Sequence, residues 1–234
     1  SENAICFCCR YGNFDIVKWI HSTNTIDIHD KEDEAFCLTC QEGHLNIAKW
    51  IYSLGNVNIH SMEDLPFINS CMEGHINVAK WLYSLYKFDI HRNEEFLFRN
   101  CCYSGHIEIV KWLYSLGGVD IHSKNEFAFQ HSFVNGYKEI YEWLVTLGDI
   151  NIHVEDDVLF RWSCSNGRFE SSKWLYSLGG VNIHSNDDYA FVWACNNNHI
   201  EIAKWLYSLG DFDIHSDNEM IFRWACEKNN NEMM

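Results

Sequence analysis

Proline is nearly missing from this chain of 234 residues: there is one, Pro66. A sequence with so few helix breakers, no low-complexity tract and 47% hydrophobic residues is neither a disordered linker nor a proline-rich ligand. Long apolar runs are missing too, and no stretch approaches the roughly 18 unbroken apolar residues that read as a membrane span. No charged-then-apolar leader opens the sequence, so nothing in it argues for secretion. Positive charge is scarce: 17 Lys and Arg against 33 Asp and Glu leave a net charge of −16. Such a surface opposes any partner gripped by neutralising its phosphates, so neither nucleic acid nor an anionic membrane is expected as a partner. A Gly-rich phosphate loop, a nucleophile elbow and a His-Glu-x-x-His helix are all lacking. The sequence therefore predicts no enzyme, no cofactor and no metal site.

What is present repeats. Tryptophan stands at Trp19, Trp50, Trp81, Trp112, Trp143, Trp174 and Trp205, always 31 residues apart. Histidine keeps the same step from His29 through His60, His91, His122, His153 and His184 to His215. A third ladder runs through Cys9, Cys40, Cys71, Cys102, Cys164, Cys195 and Cys226, broken only by Phe133. Three ladders in phase without an insertion define a repeat architecture. The units fall at about 1–31, 32–62, 63–93, 94–124, 125–155, 156–186 and 187–217, with a half unit at 218–234, and are read as one array.

The fourth unit shows the expected fold. Glu94 and Glu95 suit a helix N-terminus, where acids meet orphan amides and the positive end of the dipole. Phe98, Cys101, Cys102 and Gly105 recur at the three- and four-residue steps of a helix with one buried face. Gly105 can take the left-handed conformation that ends such a helix. Ile109, Val110, Trp112, Leu113 and Leu116 form a second apolar stripe, ended by Gly117. Val119-Asp120-Ile121-His122 alternates like a short extended connector. Neither helix reaches the roughly 12 residues needed for marginal stability alone, so neighbouring units must stack. The fold class predicted is all-α: an α-solenoid of eight first helices and seven second helices joined by short extended connectors.

These motifs resemble the ankyrin-repeat family. Thr39-Cys40-Gln41-Glu42-Gly43-His44 and Ser70-Cys71-Met72-Glu73-Gly74-His75 are similar to the family's Ala-Ala-x-x-Gly-His core. Ile107 to Gly117 is similar to its Leu/Ile-x-Ile-Val-x-x-Leu-Leu-x-x-Gly second helix, and the likeness runs from about Asn3 to Glu227. Ala190-Phe191-Val192 or Ala35-Phe36-Cys37 stands where the family has Thr-Pro-Leu-His, and the period is 31 rather than ~33. The shortfall lies between the Ile-His pair and the next helix, where the family carries a β-hairpin finger, which puts that finger in doubt. The Lys-Trp-Leu-Tyr-Ser-Leu helix resembles a subtype of large DNA viruses, which would place the chain in a host-cell cytoplasm. The resemblance implies a scaffold that binds a protein through the concave face of its first helices. Its alternatives are a substrate-targeting module of a larger assembly, such as a ubiquitin ligase, and a structural array that self-associates.

Comparing units with one another separates fold from function. Columns held constant serve the stack, and columns that vary are free to read a ligand. Four columns of the first helix vary. At the helix start stand Glu34, Leu65, Phe96, Phe127, Val158 and Tyr189. Three residues on come Cys37, Ile68, Arg99, Gln130, Arg161 and Val192. The next residue is Leu38, Asn69, Asn100, His131, Trp162 and Trp193, and after the Cys column come Gln41, Met72, Tyr103, Val134, Ser165 and Asn196. Trp162, Trp193 and Trp224, beside Arg161, Arg223 and Tyr189, are the residue types that anchor protein interfaces. Phe96, Phe127 and Tyr103 extend that surface. Two readings stand for the three tryptophans: packing between adjacent units, or exposed anchors for an unidentified protein partner. The seven second-helix tryptophans are read as core. The chain is expected to be a monomer with at most weak self-association.

The histidine and cysteine ladders invite metal or disulfide chemistry, and geometry opposes both. Helices of adjacent units lie roughly 8–10 Å apart, whereas zinc ligands nearly touch and bridged cysteines have Cα atoms within ~7 Å. The histidines are read as structural, tying each connector to the next unit. Cys6-x-x-Cys9 and Cys37-x-x-Cys40 imitate a zinc spacing; Cys9 and Cys40 fill the core column, leaving Cys6 and Cys37 as two exposed thiols. All 11 cysteines are read as reduced, in a cytosol- or nucleus-like compartment. Paired acids such as Glu63-Asp64 and Asp187-Asp188 are read as helix-start acids on a solvated edge. One junction departs from the pattern, where Phe133 fills a small slot and Ser171-Ser172 replace larger residues of the next unit.

Overall fold

The computed structural model describes residues 4–23 and 27–213. Within them the chain is a succession of helix pairs, fourteen helices in all. The first helices are α1 (Ala4–Arg10), α3 (Asp30–Gln41), α5 (Ser61–Met72), α7 (Arg92–Ser104), α9 (Ser123–Val134), α11 (Val154–Ser165) and α13 (Ser185–Asn196). The second helices are α2 (Phe14–Ser22), α4 (Leu45–Ser53), α6 (Ile76–Leu85), α8 (Ile107–Ser115), α10 (Lys138–Thr146), α12 (Phe169–Ser177) and α14 (Ile200–Leu209). The eighth first helix expected after residue 217 lies outside the described residues. No strand occurs among the described residues, and none of their helices is long and apolar enough to cross a membrane.

The chain divides into two compact units, residues 1–148 and 149–234. The boundary falls in the repeat whose cysteine column holds Phe133. In the first unit α1, α3, α5, α7 and α9 pack in sequence, each with its own second helix; in the second, α11 packs on α13. Each stack is filled by a phenylalanine ladder: Phe36, Phe67, Phe98 and Phe129 in one unit, Phe160 and Phe191 in the other, all buried. The small cysteine column lies beside it, with Cys40, Cys71, Cys102 and Cys164 fully buried. Gly105 closes α7 at φ 87°, and a Cβ there would meet the Tyr137 ring at 2.4 Å, so both handedness and space require glycine.

The second-helix tryptophans do pack between repeats, though half-buried rather than central. Trp81 meets Tyr52 edge-on at 5.7 Å, Trp112 meets Tyr83 at 5.6 Å, Trp143 meets Tyr114 at 5.4 Å and Trp205 meets Tyr176 at 5.5 Å. Each such edge-to-face pair contributes about 0.5–1.5 kcal/mol beyond burial. Trp19 is the exception, at 66% exposure. A hydroxyl three residues after each tryptophan donates to its carbonyl, as Ser53 does to Trp50 at 2.6 Å, which satisfies a helix-end acceptor.

The paired acids behave differently from a solvated helix edge. Before each of α3, α5, α7, α9, α11 and α13 continues as a right-handed helix, three residues turn left-handed, for example Asn93, Glu94 and Glu95 at φ 51°, 56° and 62°. L-residues avoid this conformation at roughly 1–2 kcal/mol each, so other contacts must hold it. The second acid supplies them. The Nδ1–H of His29 donates to Asp33 at 2.7 Å, and His60, His91, His122, His153 and His184 repeat the contact with the acid four residues on, at 2.6 to 2.9 Å. The same carboxylates accept backbone amides of the following connector: Asn58 at 2.8 Å on Asp33, Asp120 at 3.4 Å on Glu95, Asn182 at 2.9 Å on Asp157. Asp33, Glu95, Glu126 and Asp157 are buried and Asp64 and Asp188 half-buried, whereas the first acid of each pair is exposed. The histidine thus ties connector to next repeat, through a carboxylate. This turn stands where the shortened period left no room for a hairpin.

At the irregular junction, Phe133 is met inside its own repeat by Tyr141, ring to ring at 5.1 Å. In the next repeat the Ser172 hydroxyl lies 2.8 Å from Ser163 and 3.4 Å from the Cys164 sulfur. A small apolar pair has become two rings in one repeat and a hydroxyl cluster in the other.

The clamp carries a measurable share of stability. Asp157→Ala orphans the Asn182 amide and the His153 ring and should lower unfolding stability by about 1–3 kcal/mol. Its exposed neighbour serves as control, Asp156→Ala changing stability by no more than about 0.5 kcal/mol in the same urea titration.

Candidate functional site

The variable columns come from one face of each first helix, because residues at i, i+3, i+4 and i+7 share a side. In the second unit that face gathers three of the predicted residues. The Tyr189 ring lies 5.7 Å from Trp193 one turn on, and the Arg161 guanidinium sits over Tyr189 at 5.4 Å. Trp193 is 38% exposed, so its ring remains available after packing. Trp162 is half-buried and is covered by Arg168, whose guanidinium lies 5.4 Å from the ring. Trp224 and Arg223 lie outside the described residues.

Arg161 is not free to reach a ligand as an isolated charge. Its Nε donates to the carbonyl of Asp156 at 2.9 Å and its Nη2 to that of Glu155 at 2.8 Å, so it caps the left-handed turn of its own repeat. The head group is thereby fixed over Tyr189, and it positions the ring as much as it presents charge. Among the described residues no carboxylate pairs with it.

The first unit repeats this device. Arg99 Nε donates to Glu94 at 2.7 Å, its Nη2 to Asn93 at 3.0 Å, and the guanidinium lies 5.0 Å above Phe127. Phe127 packs on His131 at 3.9 Å, and Tyr103, 49% exposed, joins from α7 with its ring 5.7 Å from the same histidine. Phe127 and Tyr103 are thus brought together, and Phe96 is not part of their cluster. Burial pushes His131 below its ordinary value of 6.5.

Phe96 instead walls a separate groove of about 330 Å³ between α5 and α7, with Leu65, Ile68 and Met72 opposite and Phe67 and Phe88 at its floor. Leu65, Ile68, Met72, Arg99 and His131 all belong to the variable columns. Choosing aromatic and arginine members alone passed over them, and the run of three apolar residues within one repeat's columns was the available signal.

The cysteine reading needs one correction. Cys6 and Cys37 are buried, not exposed. Burial first, then the Glu34 carboxylate that accepts the Cys6 thiol at 3.7 Å, pushes Cys6 up to about 12; burial pushes Cys37 up to about 11. The two share one column, and the Cys6 thiol turns toward Glu34 of the neighbouring first helix. Among the described residues no three His, Cys, Asp or Glu side chains are grouped so as to hold a metal ion.

Residues 5–94 match the family model described as ankyrin repeats, in three copies. No curated protein matches the chain.

Two outcomes follow from the titratable groups. Iodoacetamide at neutral pH should leave Cys6, Cys9, Cys37 and Cys40 unmodified in the folded chain and label all four after denaturation, read by peptide mass. For His131 the folded state binds its proton less well, so its share of stability is complete above 6.5 and is lost as pH falls below that value. His131→Gln should therefore lose less stability than the parent between about pH 7.5 and about pH 5.5, and an equal loss would contradict the assignment.

Proposed function

We propose that this chain, which belongs to the ankyrin-repeat family through the repeats of residues 5–94, binds a protein partner through the variable face of its first helices. Ankyrin repeats are in general protein–protein interaction modules, and the reading assigns no catalysis to this chain. The observation that carries it is the Arg161–Tyr189–Trp193 cluster. A tryptophan left 38% exposed, beside a tyrosine already held by a guanidinium, is a rigid aromatic anchor. Such an anchor loses little side-chain entropy on docking, and the stack beneath it is built in advance. Tyr103 and Phe127, held against His131, offer a second patch of the same character in the first unit. Trp162 and Phe96 complete the proposed anchors among the described residues, with Trp224 and Arg223 proposed from the sequence alone. The partner contacts are expected to be aromatic and apolar, because phosphate-bearing ligands face a net charge of −16.

The test is capture of partners from cell lysate by the parent and by a Trp193→Ala variant, with circular dichroism and melting confirming that both are folded. A protein retained by the parent and lost by the variant supports the reading. Equal retention places binding elsewhere and overturns the assignment to this face. Sedimentation of the parent at several concentrations separates the remaining case, since aromatic self-association makes apparent mass rise with concentration.

A further inference from the structure

The groove between α5 and α7 has a counterpart, already filled, in two other repeats. Arg99 and Arg161 occupy equivalent positions, each donating to two successive carbonyls of the left-handed turn and lying over the ring that opens the next first helix. Gln130 makes part of the same contact, its amide donating to Asn125 at 2.6 Å. Thirty-one residues before Arg99 stands Ile68, with Glu63 and Met62 in place of the two residues whose carbonyls accept and Phe96 in place of the ring. Ile68 has no hydrogen to donate. Among the described residues no side chain reaches the carbonyl of Met62 or Glu63, and no cation covers Phe96, which is 39% exposed.

The chain's one proline deepens the vacancy. Pro66 stands four residues after Met62 and has no N–H to return to that carbonyl as a helix would. The acceptor pair therefore opens beside a cavity of about 330 Å³ whose walls are Leu65, Ile68 and Met72. Charge at its mouth favours a cation. Glu63, Asp64 and Asp89 line it against the single Arg92, which is held by Asp64 at 3.1 Å and Glu63 at 3.7 Å, and the Glu63 side chain is still 89% exposed.

We propose that this groove is an arginine-binding site for the protein partner: an arginine of the partner donates to the Met62 and Glu63 carbonyls and lies on Phe96, while its apolar neighbour enters the cavity beside Ile68. The site takes guanidinium rather than ammonium because two carbonyls one residue apart match the fork of parallel N–H groups, and a planar cation stacks on a ring. The inference rests on the reading of the first-helix face as a partner surface, and it names the chemistry one place on that face selects.

The probe is acetyl-Leu-Arg-Leu-amide, compared with the same peptide carrying lysine or norleucine in place of arginine, titrated into the full chain and followed by backbone amide NMR. The arginine peptide should shift the signals of residues 62–72 and Phe96, with the other two binding about tenfold more weakly. Ile68→Arg should abolish the shifts at an unchanged or higher melting temperature, because the new side chain fills the place that Arg99 and Arg161 fill. Phe96→Leu, which keeps the groove apolar, should weaken the arginine peptide about tenfold and leave the norleucine peptide unchanged. Equal binding of arginine and norleucine peptides overturns the proposal, as does undiminished binding to Ile68→Arg or an absence of shifts in these signals. Partner capture that depends on Trp193 while the arginine peptide fails would sink this inference alone. Peptide binding alongside partner capture that ignores Trp193 would instead sink the aromatic assignment and leave the groove standing.

Discussion

A carboxylate held by the histidine four residues before it is the contact that recurs at every described turn between repeats, and at Asp33, Glu95 and Asp157 it is buried and also takes a backbone amide. Helices of 7 to 13 residues do not stand alone, and apolar packing between them is non-directional. Phenylalanine and cysteine ladders can press two helices together, yet they do not fix where the connector turns. The Asp157 carboxylate does: it holds His153 at 2.6 Å before it and Asn182 at 2.9 Å in the next connector, so three chain segments meet at one side chain. The three left-handed residues ahead of each helix would be disfavoured on their own. They persist in six repeats with a carboxylate–histidine contact across the turn in every one, joined at Asp33, Glu95 and Asp157 by a connector amide.

The same turn shapes the binding face. Reversing the local handedness brings two carbonyls within reach of the residue one turn into the first helix. Whatever occupies that column decides what the repeat offers. Arginine at 99 and 161 caps the carbonyls and fixes a ring, glutamine at 130 caps one, and isoleucine at 68 leaves both available. A constant structural device thus becomes a variable surface through a single position, which is how a repeat can change its ligand without changing its stack.

Much of this was legible in the sequence, and the exceptions share a cause. Helix pairs, the left-handed glycine after the first helix and the inter-repeat place of the second-helix tryptophans follow from periodicity, because burial writes itself into spacing. The structural role of the histidines was legible as well, although their partner was not. Acids before a helix look alike in sequence whether they face solvent or not, and Asp156 and Asp157 differ only in which side of a left-handed turn they occupy. Cys6 and Cys37 misled for a related reason: their column is half-buried at Ile68, Arg99, Gln130, Arg161 and Val192 and fully buried where it carries a small sulfur. Arg161 was expected among the interface anchors, and it also donates from Nε and Nη2 to its own turn, which the spacing of residues does not reveal. The grouping of Arg161, Tyr189 and Trp193 was foreseen by column, whereas the groove at Ile68 needed the filled copies elsewhere to give it meaning.

The acidity of the chain gains a physical origin from this. Each turn requires its second acid for the clamp and leaves the first, Glu32, Glu63, Glu94, Asp156 or Asp187, in solvent. Negative charge therefore recurs in five of the six described turns as a companion of the fold, Asn125 standing in the sixth. A field shared by every repeat repels phosphate-bearing ligands generally and draws cationic ones toward the face, but it cannot choose among places on it. The choice must come from features that differ between repeats: a ring with or without a cation above it, a carbonyl pair with or without its own donor. Lys124 and Arg92 pair with Glu94 and Asp64 at 2.7 and 3.1 Å, and to that shared field each repeat adds a ring and a turn that its own first helix either covers, as at Arg99 and Arg161, or leaves uncovered by a side-chain donor, as at Ile68.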